Sequence, residues 1–216
     1  MDVTDIKSQN IKRILNVLRT SGGTTKNEIS AITWLSFSTV SNLCNELKCN
    51  NVLIEEKINN STVGRIPHIQ IFNCARFASV CVDFQEEGIL NYSISNFAGE
   101  SLYRTYFDIS KIQDLSILIK LVDTTCYNIL QQFNGIQIVG AGISVPGIYD
   151  EITQLVINSA IPVLNNAPLK ELLTQALRLP CYVENESNLC ALSIQKEYPK
   201  FNNIVYLHSS TGLGVG

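Results

Sequence analysis

FASVCVDF, Phe77 to Phe84, is rich in β-branched and aromatic residues, long enough for a strand and too short for a helix. Two similar runs follow it closely, ILNYSISN at 89–96 and SLYRTYF at 101–107, separated by short turns holding Gly88 and Gly99, and the three predict an antiparallel meander. From Ser110 to about Phe133, the residues Leu115, Leu118, Ile119, Val122, Ile129 and Leu130 recur at helical spacing. Ile136 to Val145 then reads as a buried strand ending in Pro146-Gly147. PLKELLTQALR, residues 168–178, begins with proline, which a first helical turn tolerates, and predicts a short helix before the strand LPCYVEN. A further helix is expected over about Asn188 to Glu197, and a last strand, NIVYLHSS, running into TGLGVG. Strands that alternate with helices in this way define an α/β layout.

Upstream, the pattern is helical. Ile11, Ile14, Leu15 and Leu18 share one face of a helix that stops at Ser21-Gly22-Gly23. Thr25 and Glu28 have the spacing of a capping box for a second, short helix with Ile29 and Ile32 on its buried side, ending near Thr33. A third helix begins at Ser36, with Val40, Leu43 and Leu47 on one face and Ser38, Thr39, Ser41, Asn42 and Asn45 on or beside the other. Two short helices in this relation, the second bearing small hydrogen-bonding side chains, match a helix-turn-helix whose second helix enters the DNA major groove. Two short strands, at Val52–Glu55 and Ile69–Phe72, flank the loop INNSTVGRIPH and predict a β wing. Its Gly64-Arg65-Ile66-Pro67 sets one cation on a stiffened backbone suited to a narrow minor groove. The candidate DNA contacts are Thr25, Lys26, Ser36, Ser38, Thr39, Ser41, Asn42, Gly64 and Arg65. The plainer alternative is a three-helix bundle whose polar face meets only water, with Arg65 solvated. Trp34 occupies the turn where glycine is usual, so either it takes a costly left-handed conformation or the turn differs, with packing against the first helix as a further alternative.

The 216 residues carry a net charge of −3, but residues 1–76 hold nine Lys/Arg against six Asp/Glu and the remainder seven against thirteen, so the two parts suit different partners. Domain limits of 1–74 and 75–216 follow. With no membrane-length apolar run and a polar opening, MDVTDIKSQN, a cytoplasmic location is expected. The seven cysteines form no C-x-x-C pair and read as reduced packing residues.

A winged helix-turn-helix followed in order by ISVPGIYD (143–150), VENESN (183–188) and STGLGVG (210–216) resembles the ROK family of repressors, open reading frames and kinases over nearly the whole chain. The resemblance implies an actin-like ATPase, or ribonuclease H-like, fold for residues 75–216, represented by its first lobe and the start of its second. It implies that Gly147 lies against a sugar and Asn185 binds a sugar hydroxyl. Glu186 stands where the family's kinases carry the aspartate base, and Thr211, Gly212 and Gly214 match the turn that meets ATP phosphate. Such a site needs amides and carboxylates in fixed pairs, and glycine turns that let backbone amides approach phosphate.

The departures from the family pattern point away from catalysis. Where the kinases carry a D-x-G-x-T phosphate turn, Asp83 is followed by Phe84-Gln85-Glu86-Glu87, which lacks glycine and hydroxyl and would repel a phosphate. Glutamate at 186 adds a methylene that displaces a base needing to sit within about 3 Å of its proton. Ala160 replaces an asparagine that contacts the sugar in relatives. The chain stops at Gly216, before the family's Cys-rich zinc site and further sugar-contacting Glu and His, so a fragment or truncated product is expected. Zinc is expected only in a full-length relative, and this chain is expected to hold no metal or cofactor.

The expected function is that of a non-enzymatic regulator of carbohydrate metabolism, in all expectation a repressor. It binds operator DNA through residues 8–72 and a sugar or sugar phosphate through residues 77–216, as a homodimer or higher oligomer. The alternatives are a glucokinase-like sugar kinase, a truncated regulator that no longer senses ligand, and a protein-docking module built on the winged helix.

Overall fold

A computed structural model describes residues 3–57, 68–85, 87–133, 135–209 and 213–216, and the chain divides into two units, Met1–Arg76 and Phe77–Gly216. In the first, α1 (Val3–Ser21) is followed by β1 (Thr24–Thr25), α2 (Lys26–Thr33), α3 (Phe37–Cys49), β2 (Leu53–Lys57) and β3 (His68–Phe72). Ile14, Leu18, Ile29, Val40, Leu43, Cys44, Leu47 and Leu53 form its core; each Leu or Ile buried there contributes about 1.5–3 kcal/mol. Glycine at 23 is required twice over: its φ is +134°, and an added Cβ would meet Ile71 Cγ1 at 2.8 Å. That close approach lets β1 join the wing sheet, whose order is β1-β3-β2 with both pairs antiparallel. A two-residue strand with no alternating pattern is invisible to periodicity, and the sequence does not announce it.

The capping box at Thr25 and Glu28 is present. Glu28 N–H donates to Thr25 Oγ1 at 3.3 Å, and Glu28 Oε2 accepts from Thr25 N–H at 3.0 Å. Thr24 Oγ1 also donates to Glu28 Oε2. These bonds, that from Thr24 foremost, hold the Glu28 carboxyl below its ordinary range. One expectation for this region is corrected, and the alternatives at Trp34 are decided. Ile32 is 58% exposed because only Ile29 and Thr33 face the core from so short a helix. Trp34 does adopt the left-handed conformation (φ 59°, ψ 23°) but is 93% exposed, so it does not pack on α1. The wing tip, including Gly64 and Arg65, lies outside the described residues.

The second unit runs β4 (Phe77–Gln85), β5 (Ile89–Asn96), β6 (Ser101–Asp108), α4 (Leu115–Leu130), β7 (Gln137–Val145), β8 (Ile148–Asp150), β9 (Leu155–Ile157), α5 (Leu169–Leu177), β10 (Cys181–Asn185), α6 (Glu186–Glu197), β11 (Leu207–Ser209) and β12 (Leu213–Val215). The main sheet has the order β10-β7-β4-β5-β6. β4, β5 and β6 are antiparallel, whereas β7 runs parallel to β4 and β10 parallel to β7. Alternation along β4 and β5 buries Ala78, Val80, Val82, Phe84, Leu90, Tyr92 and Ile94 in one core with Leu118, Val122, Cys126 and Ile129 of α4 and Leu169 and Leu173 of α5. Cys126 and Cys181 are buried here, as is Cys44 in the first unit, and burial pushes all three thiols up.

Three boundaries differ from those expected. α4 begins at Leu115 rather than Ser110, because Asp108 accepts from Ser110 N–H and Oγ–H to form a turn and Asp114 caps the helix by accepting from Ser116 N–H. α6 begins at Glu186 rather than Asn188, because Asn185 is its cap. Residues 203–206 are not strand. β11 pairs only with β12, in a hairpin separate from the main sheet.

Replacing Thr25 by alanine removes half of the capping box and should lower the stability of the first unit by about 1 kcal/mol, whereas serine should leave it unchanged. The urea midpoint followed by circular dichroism measures both. Glu55 is held down at about 2, from an ordinary 4.5, by hydrogen bonds from Gln70 and Lys48. A depressed carboxyl stabilises the fold above its unfolded value, and that contribution is lost as pH falls through the folded value. Acid titration should therefore destabilise this unit between pH 4.5 and about 2, and Glu55→Gln should flatten that limb of the stability curve.

Candidate functional site

Asn185 joins the elements of a cleft in the second unit. It ends β10 and caps α6, its Oδ1 accepting from Ser187 N–H at 2.8 Å and Asn188 N–H at 3.3 Å. Its Nδ2 donates to Gly147 O at 2.6 Å, across to the elbow between β7 and β8. Gly147 cannot carry a side chain there, since a Cβ would lie 2.8 Å from Ser159 Cα and 3.1 Å from Ile157 O. The elbow is fixed from its other side by Ala160 N–H, which donates to Pro146 O at 3.1 Å.

These contacts frame a cavity of about 410 Å³. Pro146, Gly147, Ile148 and Tyr149 line one wall, Asn158 and Ala160 a second, residues 184–188 a third, and His208, Leu213, Gly214 and Val215 of the hairpin a fourth. Glu184 Oε1 accepts from Asn185 N–H and Asn188 Nδ2, each at 2.8 Å. Glu186 Oε1 lies 3.7 Å from His208 Nδ1, and the His208 ring stacks on Tyr206. Burial raises the Tyr149 phenol, with help from Glu151 and Asp150. Two carboxylates and one imidazole are the ionisable groups other than Tyr149 among the described lining residues. This lining suits neutral hydroxyl groups and opposes added negative charge.

Of the residues singled out for a sugar, Gly147, Asn185 and Glu186 all reach this cavity, as does Gly214. Thr211 and Gly212 lie outside the described residues. Asn185 is not simply a ligand: its oxygen is committed to the helix cap and one amide hydrogen to Gly147, which leaves a single N–H for any bound molecule. A Cβ at Gly214 would collide with Ser187 Oγ, so this glycine serves the packing of the hairpin on α6. Sequence reading missed Glu184, Tyr149 and His208. Glu184 was legible only as an inward or outward position in a strand, and His208 reaches the cleft by way of a hairpin read as sheet. Where the family's kinases carry their first phosphate turn, Asp83 of β4 accepts from Gln85 Nε2 at 3.2 Å and from Asn91 Nδ2 of β5 at 3.3 Å. Among the described residues no three His, Cys, Asp or Glu side chains come together as a metal-binding group.

In the first unit the candidate DNA contacts separate into two kinds. Thr25 and Ser36 are helix caps, and Ser36 Oγ shares hydrogen bonds with Ser38 at 2.9 Å and Thr39 at 2.8 Å. Their oxygens satisfy backbone N–H groups that nothing else in the helix can reach. Lys26 Nζ donates to Asn45 Oδ1 at 2.9 Å, tying the start of α2 to α3. Ser38, Asn42 and Asn45 form an exposed row on α3, with Thr39 and Ser41 half-buried beside it.

A mixed five-stranded sheet with such a cleft thus follows a unit of three helices and a small antiparallel sheet. The ROK family model matches residues 87–216, and the chain belongs to the ROK family. It is 29% identical over 219 residues to a xylose repressor of Caldicellulosiruptor bescii, covering 99% of this chain and 54% of that protein. It is 28% identical to the xylose repressor of Bacillus subtilis, covering 100% of this chain and 57% of that one. The chain thus spans about half the length of these curated relatives. Among solved structures, a ROK family transcriptional regulator, homologue of the E. coli MLC protein, matches with a TM-score of 0.79 at 20% identity over 98% of this chain and 54% of that one. The ROK hexokinase of Thermus thermophilus matches with a TM-score of 0.55 at 18% identity over 64% of this chain and 46% of that one. Both share the fold.

Because Asn185 closes three contacts at once, Asn185→Ala should cost the second unit about 2 kcal/mol. Asn185→Asp, which keeps the cap oxygen but sets a carboxylate against Gly147 O, should recover less than half of that. Thermal unfolding of the two variants beside the wild type decides.

Proposed function

We propose that this chain is a sugar-responsive transcriptional repressor that binds operator DNA through its first unit, acting in the cytoplasm as a homodimer. One observation carries the reading: α2 and α3, each capped by its own hydroxyl residue, present Ser38, Asn42 and Asn45 outward in a single uncharged row. Small amide and hydroxyl side chains at this spacing reach base edges and phosphates without the indiscriminate attraction of a lysine-rich helix. The names of the relatives support the same reading, as does the sequence Gly64-Arg65-Ile66-Pro67.

The effector is a neutral sugar of the xylose kind rather than a sugar phosphate. Glu184 and Glu186 line the cleft and each can accept from a ligand hydroxyl, while a phosphate would meet two carboxylates. Glu186 holds a hydroxyl and does not remove its proton, because the Asp83 carboxylate is already engaged by Gln85 and Asn91 and the chain offers no phosphate turn there. The sugar acts by favouring one arrangement of the protein over another and so changing the fraction competent for DNA.

Gel shifts with duplexes selected from a random pool test the first part: Arg65→Ala should weaken binding by about tenfold without changing the melting temperature. Calorimetry tests the second. A neutral pentose should release heat on binding, Glu186→Gln should weaken it by about tenfold or more, and ATP should show neither binding nor turnover. Turnover of ATP would establish the kinase reading instead.

A further inference from the structure

Trp34 is the single tryptophan of the chain, and it is strained without being packed. Its φ of 59° and ψ of 23° place it in the left-handed region, unfavourable for a bulky residue and nearly cost-free for glycine. Strain of this kind persists where something offsets it. Packing does not, since the side chain is 93% exposed. The turn is held by other groups: Ser30 Oγ donates to Leu35 O and Thr33 Oγ1 to Ile29 O, each at 2.6 Å. Ile32, two residues before it, and Phe37, three after, are 58% and 53% exposed, so three large apolar side chains near the start of α3 lack cover.

The charge of the first unit points to the kind of partner. Three acidic residues of the unit are engaged internally, Glu28 in the capping box, Glu46 by Lys7 at 2.7 Å and Glu55 by Lys48 at 3.0 Å. Among the described residues Lys12, Arg13, Arg19 and Lys26 make no ion pair, against the unpaired Asp5 and Glu56, which leaves a surplus of positive charge in the unit. That favours a polyanion over an apolar protein surface. Trp34 also stands two residues before Ser36, the cap of the helix that carries the exposed polar row.

Resting on the DNA-binding reading above, we propose that Trp34 is a DNA-contacting residue. Its ring lies against deoxyribose at the rim of the groove that α3 enters, and its Nε1–H donates to a phosphate oxygen. An indole supplies an apolar face and a single donor, which matches that rim.

The test uses the full chain and a duplex it selects from a random-sequence pool. Titration with that duplex should change the fluorescence of Trp34, which has no other tryptophan to mask it. Trp34→Gly should keep or raise the melting temperature while weakening binding by about tenfold. The salt dependence should keep its slope, because an indole carries no charge, whereas Lys26→Ala should reduce that slope by about one. Wild-type affinity in the glycine variant, or fluorescence indifferent to DNA, overturns the proposal. So does a concentration-dependent dimer that the glycine variant disperses with DNA affinity per dimer intact, since the patch then serves a second copy. Should the glycine variant not fold, Trp34→Asn, which also tolerates the conformation, replaces it. A wild-type chain that selects no duplex refutes the DNA reading itself, before any Trp34 variant is made, and this proposal with it.

Discussion

The second unit depends on one side-chain amide. Asn185 supplies the oxygen that starts α6 and the hydrogen that holds the Pro146-Gly147 elbow, so the end of β10, the end of β7 and the first turn of α6 are fixed relative to one another through it. A backbone carbonyl facing a cavity would otherwise look to solvent, and the first N–H groups of a helix have no intrahelical partners. Asparagine can meet both demands because it carries donor and acceptor on one planar group. Glu184 and Glu186 flank it on alternate sides of the chain and inherit their positions from it.

The first unit uses the same chemistry. Thr25 and Ser36 begin α2 and α3, and the two caps set the relation between the helices that the wing sheet then reinforces through β1. Small polar residues therefore do two jobs in this chain, and their exposure separates the jobs. Those whose oxygens meet a backbone N–H at the head of a helix shape the fold, while Ser38 and Asn42 stand exposed on α3.

The electrostatic contrast between the units follows from composition and becomes specific only in the fold. An excess of carboxylates in residues 77–216 converges in part on the cleft, where Glu184 and Glu186 disfavour an anionic ligand. In the first unit Glu46 and Glu55 are matched by Lys7 and Lys48, and the residual charge is positive. Asp83 illustrates how a family position changes its use: with glutamine and asparagine as neighbours, its carboxylate becomes part of a strand-to-strand bond.

Local physics in the sequence determined the α/β layout, the three helices and wing strands of the first unit, the meander, and the capping box. Apolar periodicity and the short-range chemistry of Thr, Ser, Asp and Gly act within a few residues and can be read there. The order VPG, VEN and TGLGVG also marked Gly147, Asn185, Glu186 and Gly214, which the cavity brings together. Tertiary structure alone decided that Asn185 spends its side chain on a cap and on Gly147, that α6 starts at Glu186, that Trp34 stands exposed in a left-handed turn, and that Glu184, Tyr149 and His208 share the cleft. The reason is physical: a side chain's role depends on which backbone groups remain unsatisfied near it, and those are set by contacts between segments far apart in the chain.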